Sequence, residues 1–292
     1  MAKARALDRR RRSIRNIRKI TRTMELISRA QFKRAMDRAS AATAFTRRIT
    51  ALVTHLAHAG LEVSHPLLKP RPEVHAATLL VLTANRGLCG GYNAGVMRIA
   101  LARRQEWLQR QVALQLEVSG RRGISALRFR GIPADQAYTH LQEKVRFEDI
   151  EVLAARYLDA FAAGQLDRLE VAYTKFESLS RQHAVVETLL PIGELAGGAA
   201  AEEEAVRQYD FLPSAAGILD EVVPASFRVR LFKCFLDAAV SEQIARMVAM
   251  KAATENADQM IQSLSMAYNR ARQGQITGEL LEIIGGAEAL NE

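Results

Sequence analysis

Apolar residues recur at helical intervals near both ends of the chain. Ile17, Ile20, Met24 and Ile27 follow one another at 3, 4 and 3 residues, and Phe45, Ile49, Leu52 and Leu56 at 4, 3 and 4. Towards the other end Val240, Ile244 and Met247 are spaced 4 and 3, and Ala257, Ile261, Leu264, Tyr268 and Ala271 are spaced 4, 3, 4 and 3. An average of about 3.5 residues is the repeat of a left-handed coiled-coil seam. No Gly or Pro interrupts Met1–Ala59 or Ala225–Gln273. At about 1.5 Å per residue these segments predict helices of roughly 90 and 75 Å, where an ordinary helix has about 11–12 residues. Such helices need each other, or a partner, to cover an apolar stripe. From Ala249 to Ala257 the apolar positions are mostly alanine. Small residues let two helices approach closely but bury little area, so this part of the seam is expected to be thinner and weaker.

The middle of the chain has the texture of an α/β domain. Strands are predicted at Ala77–Thr83, Val112–Gly120, Arg168–Phe176 and His183–Ile192, with helices around Ile124–Phe129 and Phe147–Ala163. The last two strands flank a polar turn and read as a hairpin. Strands alternating with helices imply a largely parallel sheet with an antiparallel edge. Gly193–Glu204 is small and acidic, a surface loop by composition, and Pro213, Gly217 and Pro224 punctuate the approach to the last helix. The expected divisions are an amino-terminal coiled-coil helix (1–60), a central α/β domain (61–224) and a carboxyl-terminal coiled-coil helix (225–292).

Charge changes this picture in one place. Of the 41 Lys/Arg in the chain, 16 lie in residues 1–48 beside 3 Asp/Glu, so that the net +9 arises there and the remainder is slightly acidic. A helix so basic suits an acidic partner: nucleic acid, anionic lipid or an acidic protein surface. At 292 residues and 49% apolar content the chain can bury a core, and its longest apolar run, near Ala76–Leu82, is too short to span a bilayer. Two cysteines, Cys89 and Cys234, argue for reduced thiols rather than a disulfide scaffold. The arginine-rich start lacks the apolar core of a secretory signal. It has the look of a transit peptide, but helical periodicity already begins at Ile14.

Catalytic patterns are missing. Gly87, Gly90 and Gly91 follow a strand and precede a helix, where backbone N–H groups can cradle a phosphate. The spacing is that of neither dinucleotide nor P-loop motifs, and the loop has no Lys, so a tight structural turn is the stronger reading. Of the six histidines only His55 and His58 have a ligand-like spacing, without carboxylate or thiol neighbours. No G-x-S-x-G or Cys–His pattern stands out. No catalytic residue, metal or cofactor is expected.

Three segments carry a resemblance over nearly the whole chain: "NIRKITRTMELISRAQFKRA" (Asn16–Ala35), "RGLCGGYN" (Arg86–Asn93) and the long, specific run from Ser241 to Leu290 that includes "RMVAMKAATENA" and "NRARQGQITGELLEI". They resemble the γ subunits of F-type ATP synthases. The resemblance implies an antiparallel coiled-coil shaft of the terminal helices and a Rossmann-like foot. The shaft would enter a hexamer of α and β subunits, and the foot would sit beside the ε subunit and the membrane ring of c subunits, on the cytoplasmic face of a bacterial inner membrane. By motif position it implies contacts with β for Lys19, Arg22, Met24, Lys33, Arg34, Arg246, Arg272, Gln273, Thr277, Glu279 and Glu282. It also implies a foot loop of Arg86, Gly87, Cys89, Gly90 and Gly91. Departures are Arg29 and Gln31 where small residues and then Lys are usual, Asn85 in place of an acidic residue, and Leu212 in place of a polar one. The plant-type insertion with paired cysteines is absent. The alternative is a basic coiled-coil DNA-binding protein, but the apolar positions Ile14 to Ile27 run through the basic block, where a groove-reading helix needs a polar face.

Overall fold

A computed structural model describes residues 2–58, 65–68, 71–141, 145–192 and 215–289. Leu212, the acidic stretch Gly193–Glu204 and the side chains of Phe45, Ile49, Leu52, His55, Leu56 and His58 lie outside the described residues. In chain order the elements are α1 (Ala2–His58), β1 (Ala76–Leu82), α2 (Tyr92–Gln109), β2 (Ala113–Ser119), α3 (Arg121–Phe129), β3 (Gln136–Tyr138), α4 (Phe147–Ala162), β4 (Arg168–Phe176), β5 (Gln182–Leu190) and α5 (Ala215–Ala289). Two compact units are present, Met1–Arg29 with Arg246–Glu292, and Ala30–Ala245. Their limits fall inside α1 and α5 rather than at the helix ends, because the inner parts of both helices pack on the sheet.

In the Ala30–Ala245 unit the sheet runs β3-β2-β1-β4-β5. The first four strands are parallel and β5 is antiparallel to β4, as alternating elements followed by a hairpin require. Leu80, Leu82, Val171 and Tyr173 point to one face, where α4, Phe227, Leu231 and Phe235 of α5, and Phe32, Met36 and Ala39 of α1 form one core. Leu79, Val81, Ala172 and Val118 point to the other, beneath α2 and α3. The period-2 alternation of strand side chains divides them in this way.

The sequence reading is revised at two elements. β3 has only three residues and no apolar run of its own; its pairing with Glu117–Ser119 of β2 defines it. The last helix starts at Ala215, not Ala225, and passes through Pro224. That proline removes a backbone donor and crowds the preceding turn, but the neighbouring Val223 and Phe227 are wholly buried and hold the helix there. Beyond Gln273 the helix also continues through Gly274, Gly278, Gly285 and Gly286, each costing roughly 1 kcal/mol relative to alanine.

Each sheet face buries one carboxylate. Glu117 accepts hydrogen bonds from Arg156 (2.6 Å), Tyr157 (2.7 Å) and Tyr138 (3.0 Å). Glu170 accepts from Arg103 (2.6 and 2.7 Å), Arg168 (2.8 Å) and Trp107 (2.9 Å). Burial alone would raise the Glu170 carboxyl, but those donors outweigh it and hold it below the ordinary glutamate range. Gly120 joins β2 to α3 at φ 105, and a Cβ there would run into the Thr83 carbonyl. Gly120→Ala is therefore expected to cost about 3 kcal/mol or more in denaturant unfolding of the full chain.

Candidate functional site

The candidate site is the unit of residues 1–29 and 246–292, in which the outer parts of α1 and α5 lie antiparallel. Three contacts set the register: the Thr254 hydroxyl donates to the Thr21 hydroxyl (2.8 Å), Arg18 pairs with Asp258 (2.5 Å), and the Arg11 guanidinium lies 4.7 Å from the centre of the Tyr268 ring. On α5 the covered positions are Met250, Thr254, Ala257, Ile261, Leu264, Tyr268 and Ala271, an unbroken alternation of 4 and 3. Here the sequence reading holds.

On α1 it does not. Buried Thr21 and Ser28 and half-buried Ile14 face the seam, whereas Ile17, Ile20 and Ile27 are 46%, 59% and 51% exposed. Only Met24, half-buried, belongs to both rows. The apolar heptad is real but faces outward. Opposite small Thr254, a close approach leaves room for Thr21 but not for isoleucine, so the wide residues turn away. Within this unit only Met250 and Ala257 among the described apolar side chains are buried, while twelve large ones are exposed. Leu7, Ile14, Met24, Ile261, Leu264 and Tyr268 are half-buried, so the apolar cover within the unit is partial.

A helix turns about 100° per residue, so positions around the seam can be placed. Ile17, Ile20 and Ile27 lie about 90° to one side of the Ile14–Thr21–Ser28 line, and Arg15, Lys19, Arg22 and Arg29 about 110° to the other. The helix pair therefore shows an apolar flank and a basic flank, both exposed. Arg22 also pairs with Glu25 at 2.9 Å. At the register above, Ala2 falls opposite about residue 275. Past that point Ile276, Leu280, Leu281, Ile283 and Ile284 are all more than half exposed, and the described residues include no helix to cover them.

The expected contact residues divide by exposure. Lys19, Arg22, Arg272, Gln273, Thr277, Glu279 and Glu282 are exposed on this unit, with Glu279 accepting a hydrogen bond from Gln275 (2.8 Å). Arg246 of the same unit is buried, at 7% exposure. Lys33 and Arg34 are exposed, but they belong to the other unit.

The glycine loop lies between β1 and α2 in the Ala30–Ala245 unit, and its polar groups are turned to internal bonds. Asn93 accepts from the Ala84 N–H (2.9 Å) and donates to the Cys89 sulfur (3.1 Å). Asn85 accepts from the Arg121 N–H (3.0 Å) and donates to the Thr139 carbonyl (2.8 Å). An aspartate could make the first of these but not the second, which accounts for the departure at this position. Gly87 packs against Arg122, Cys89 is buried, Gly90 has φ 56, and Arg86 and Gly91 are exposed. Ligands of open α/β sheets bind at the carboxyl ends of adjoining strands where the order reverses. In this chain α5 fills that place. Tyr92 donates to the Ala238 carbonyl (3.0 Å), Ser241 donates to the Thr174 carbonyl (3.2 Å), and Ala245 packs against Ala84, Cys89 and Tyr92.

Sequence reasoning missed the outward flank of α1 and the filling of the crevice by α5. The first had a signal, the second heptad row of Ile14, Thr21 and Ser28, but its polar members disguised it. Among the described residues no group of three or more His, Cys, Asp or Glu is placed to hold a metal ion, and no helix is long and apolar enough to cross a membrane.

Comparison with known proteins gives a consistent result. The family model described as ATP synthase matches residues 3–290. The ATP synthase gamma chain of Rhodopirellula baltica is 56% identical over 294 residues, covering 99% of both chains. That of Leptospira biflexa is 33% identical over the whole of both. Among solved structures, a chain of the Euglena gracilis mitochondrial ATP synthase superposes with a TM-score of 0.64 at 18% identity, covering 99% of this chain and 95% of that one. A chain from the Tetrahymena thermophila central stalk and c-ring gives 0.58 at 18% identity, covering 80% and 99%. These two are likenesses of fold. A family model spanning nearly every residue and a relative identical at more than half of the aligned positions agree, and the chain belongs to the ATP synthase gamma-chain family.

Proposed function

We propose that this chain is the central-stalk rotor subunit of a bacterial F-type ATP synthase, coupling ion flow through the membrane ring to ATP synthesis or hydrolysis at α/β catalytic sites. One observation carries the reading: a long helix pair with a mixed, thin seam and two exposed flanks, one apolar and one basic. Such a pair is built to be enclosed. Its partners are the α and β subunits around the outer helices, and the ε subunit and c-ring at the sheet unit. No nucleic acid is involved, and the relatives lend no support to the DNA-binding alternative. The chain lies at the cytoplasmic face of the inner membrane, held there through the complex.

The chain's own residues act mechanically. Lys19, Arg22, Lys33 and Arg34 offer cations to acidic surfaces of β, and Met24 lies where the seam meets the apolar flank. Arg272, Gln273, Thr277, Glu279 and Glu282 reach loops of β from the far end of α5. Arg246, being buried, contributes through the helix pair rather than by direct touch. ATP chemistry takes place on the partners, in keeping with a ligand crevice closed by α5.

Recovery of the tagged chain from its native membranes tests the reading. α and β subunits in fixed stoichiometry are expected, whereas salt-sensitive retention on DNA without them would overturn it. In the isolated complex, Arg272→Ala with Gln273→Ala is expected to lower ATP turnover about tenfold, as loss of one or two charge-assisted hydrogen bonds implies. Unchanged turnover would remove these residues from the contact set.

A further inference from the structure

We propose that the unit formed by residues 1–29 and 246–292 does not hold itself together, and that it becomes ordered only when a partner covers its outer flanks. The proposal rests on the rotor reading but goes beyond it. It concerns the state of the chain before assembly.

Three observations support it. The seam is mixed where a self-sufficient coiled coil is apolar: Thr21, Ser28 and Thr254 are buried beside Met250 and Ala257, and the larger apolar members Ile14, Met24, Ile261, Leu264 and Tyr268 are only half-buried. Of the contacts that set its register, the Thr21–Thr254 hydrogen bond is buried but the ion pair is wet. Arg18 and Asp258 are each about half exposed, and an ion pair in that setting contributes little. The large apolar residues face out instead, with Ile17, Ile20, Ile27, Met266, Leu281 and Ile283 at 46–72% exposure. In the Ala30–Ala245 unit the order is reversed: Leu79, Leu80, Val81 and Leu82 of β1 are fully buried. One chain thus carries a unit with a core of its own and a unit whose core must be supplied from outside. Segments that cannot bury enough apolar surface remain disordered until a partner provides it.

Charge sharpens the point. Residues 1–29 crowd eleven Lys and Arg against two acids; ion pairs to Asp8, Glu25 and Asp258 offset part of that repulsion, and an acidic surface or salt relieves the rest. The enclosing partner therefore has to offer apolar surface along one flank of α1 and acidic surface along the other.

Hydrogen exchange read by mass spectrometry tests this on the full chain, first alone at submicromolar concentration and then within the purified α/β/γ complex. In the free chain, amides of residues 4–28 and 250–280 are expected to exchange at least ~100-fold faster than those of β1 and β4, and to slow by ~100-fold on assembly. Protection of these segments in the free chain equal to that of the sheet strands would overturn the proposal, whether it arose from the seam or from a second copy. So would exchange that assembly leaves unchanged. A double variant provides an independent arm: Thr21→Val with Thr254→Val removes the hydroxyl pair and adds apolar surface to the seam. Several-fold slower exchange in the free variant is expected, and faster exchange would show that the hydrogen bond already holds the pair. Failure of the chain to join α and β at all would count against the rotor reading, while the free-chain and variant arms would still decide the inference.

Discussion

Replacing Ile17, Ile20 and Ile27 together with aspartate is expected to leave the sheet unit folded and to reduce ATP-driven ion pumping by at least ~100-fold, because an unpaired carboxylate forced out of water costs roughly 2 kcal/mol or more. All three side chains are about half exposed, so the free chain loses no core contact. The effect is confined to the assembled state, where an apolar partner surface would meet three carboxylates. Circular dichroism and thermal unfolding of the free chain, set beside proton pumping by reconstituted complexes, separate the two. Near-normal pumping with the variant incorporated would show that this flank faces solvent in the complex, and the enclosure account would fail.

The second large effect lies in the sheet unit. Glu170→Ala is expected to destabilise it by about 3 kcal/mol, as removal of one partner from a buried ion network does. Arg103 and Arg168 would be left close together without their carboxylate, and the Trp107 N–H would lose its acceptor. Urea unfolding of the full chain gives the measurement, and a loss below about 1 kcal/mol would mean that solvent takes over the carboxylate's part. The same network gives a pH dependence. Glu170 and Glu187 both lie below the ordinary glutamate range in the folded chain, Glu187 because Tyr173 and Arg230 outweigh its burial. Groups lowered by folding contribute stability that is full above the unfolded value, about 4.3, and that is lost as pH falls through the folded values. Acid should therefore destabilise the sheet unit below about pH 4.3, and the variant should show a shallower loss. Asp237 acts in the opposite sense, since burial raises its carboxyl above the ordinary range despite Lys233 at 2.6 Å.

Much of this architecture is legible from residues alone, for physical reasons that differ by region. β1 is a nearly continuous apolar run because both of its faces are covered, and such a run can be read without knowing its neighbours. The α5 seam was found because its rows of Ala, Ile, Leu and Tyr repeat in register. The α1 seam was hidden because its members are Thr21, Ser28 and polar neighbours, while a more apolar row lay one residue off. Periodicity identifies a stripe but not what the stripe faces, and on α1 the more apolar stripe faces away from the seam. Pro224 misled because local propensity is weak against burial of Val223 and Phe227. The filling of the sheet crevice by Ala238, Ser241 and Ala245 depends on long-range packing that no local pattern announces. In the glycine loop, Asn85 and Asn93 act as clasps through internal hydrogen bonds.

In the assembled complex this chain is expected to turn inside its partners. Phe129, at the end of α3, is 91% exposed, and Cys89 and Cys234 are buried, so Phe129→Cys offers a site for attaching a bead through biotin. With the α/β hexamer fixed to a surface and ATP supplied, unidirectional stepped rotation of the bead is expected, stopping when ATP is exhausted. ATP hydrolysis by the same immobilised complexes without rotation of the bead would show that the chain is not the rotor.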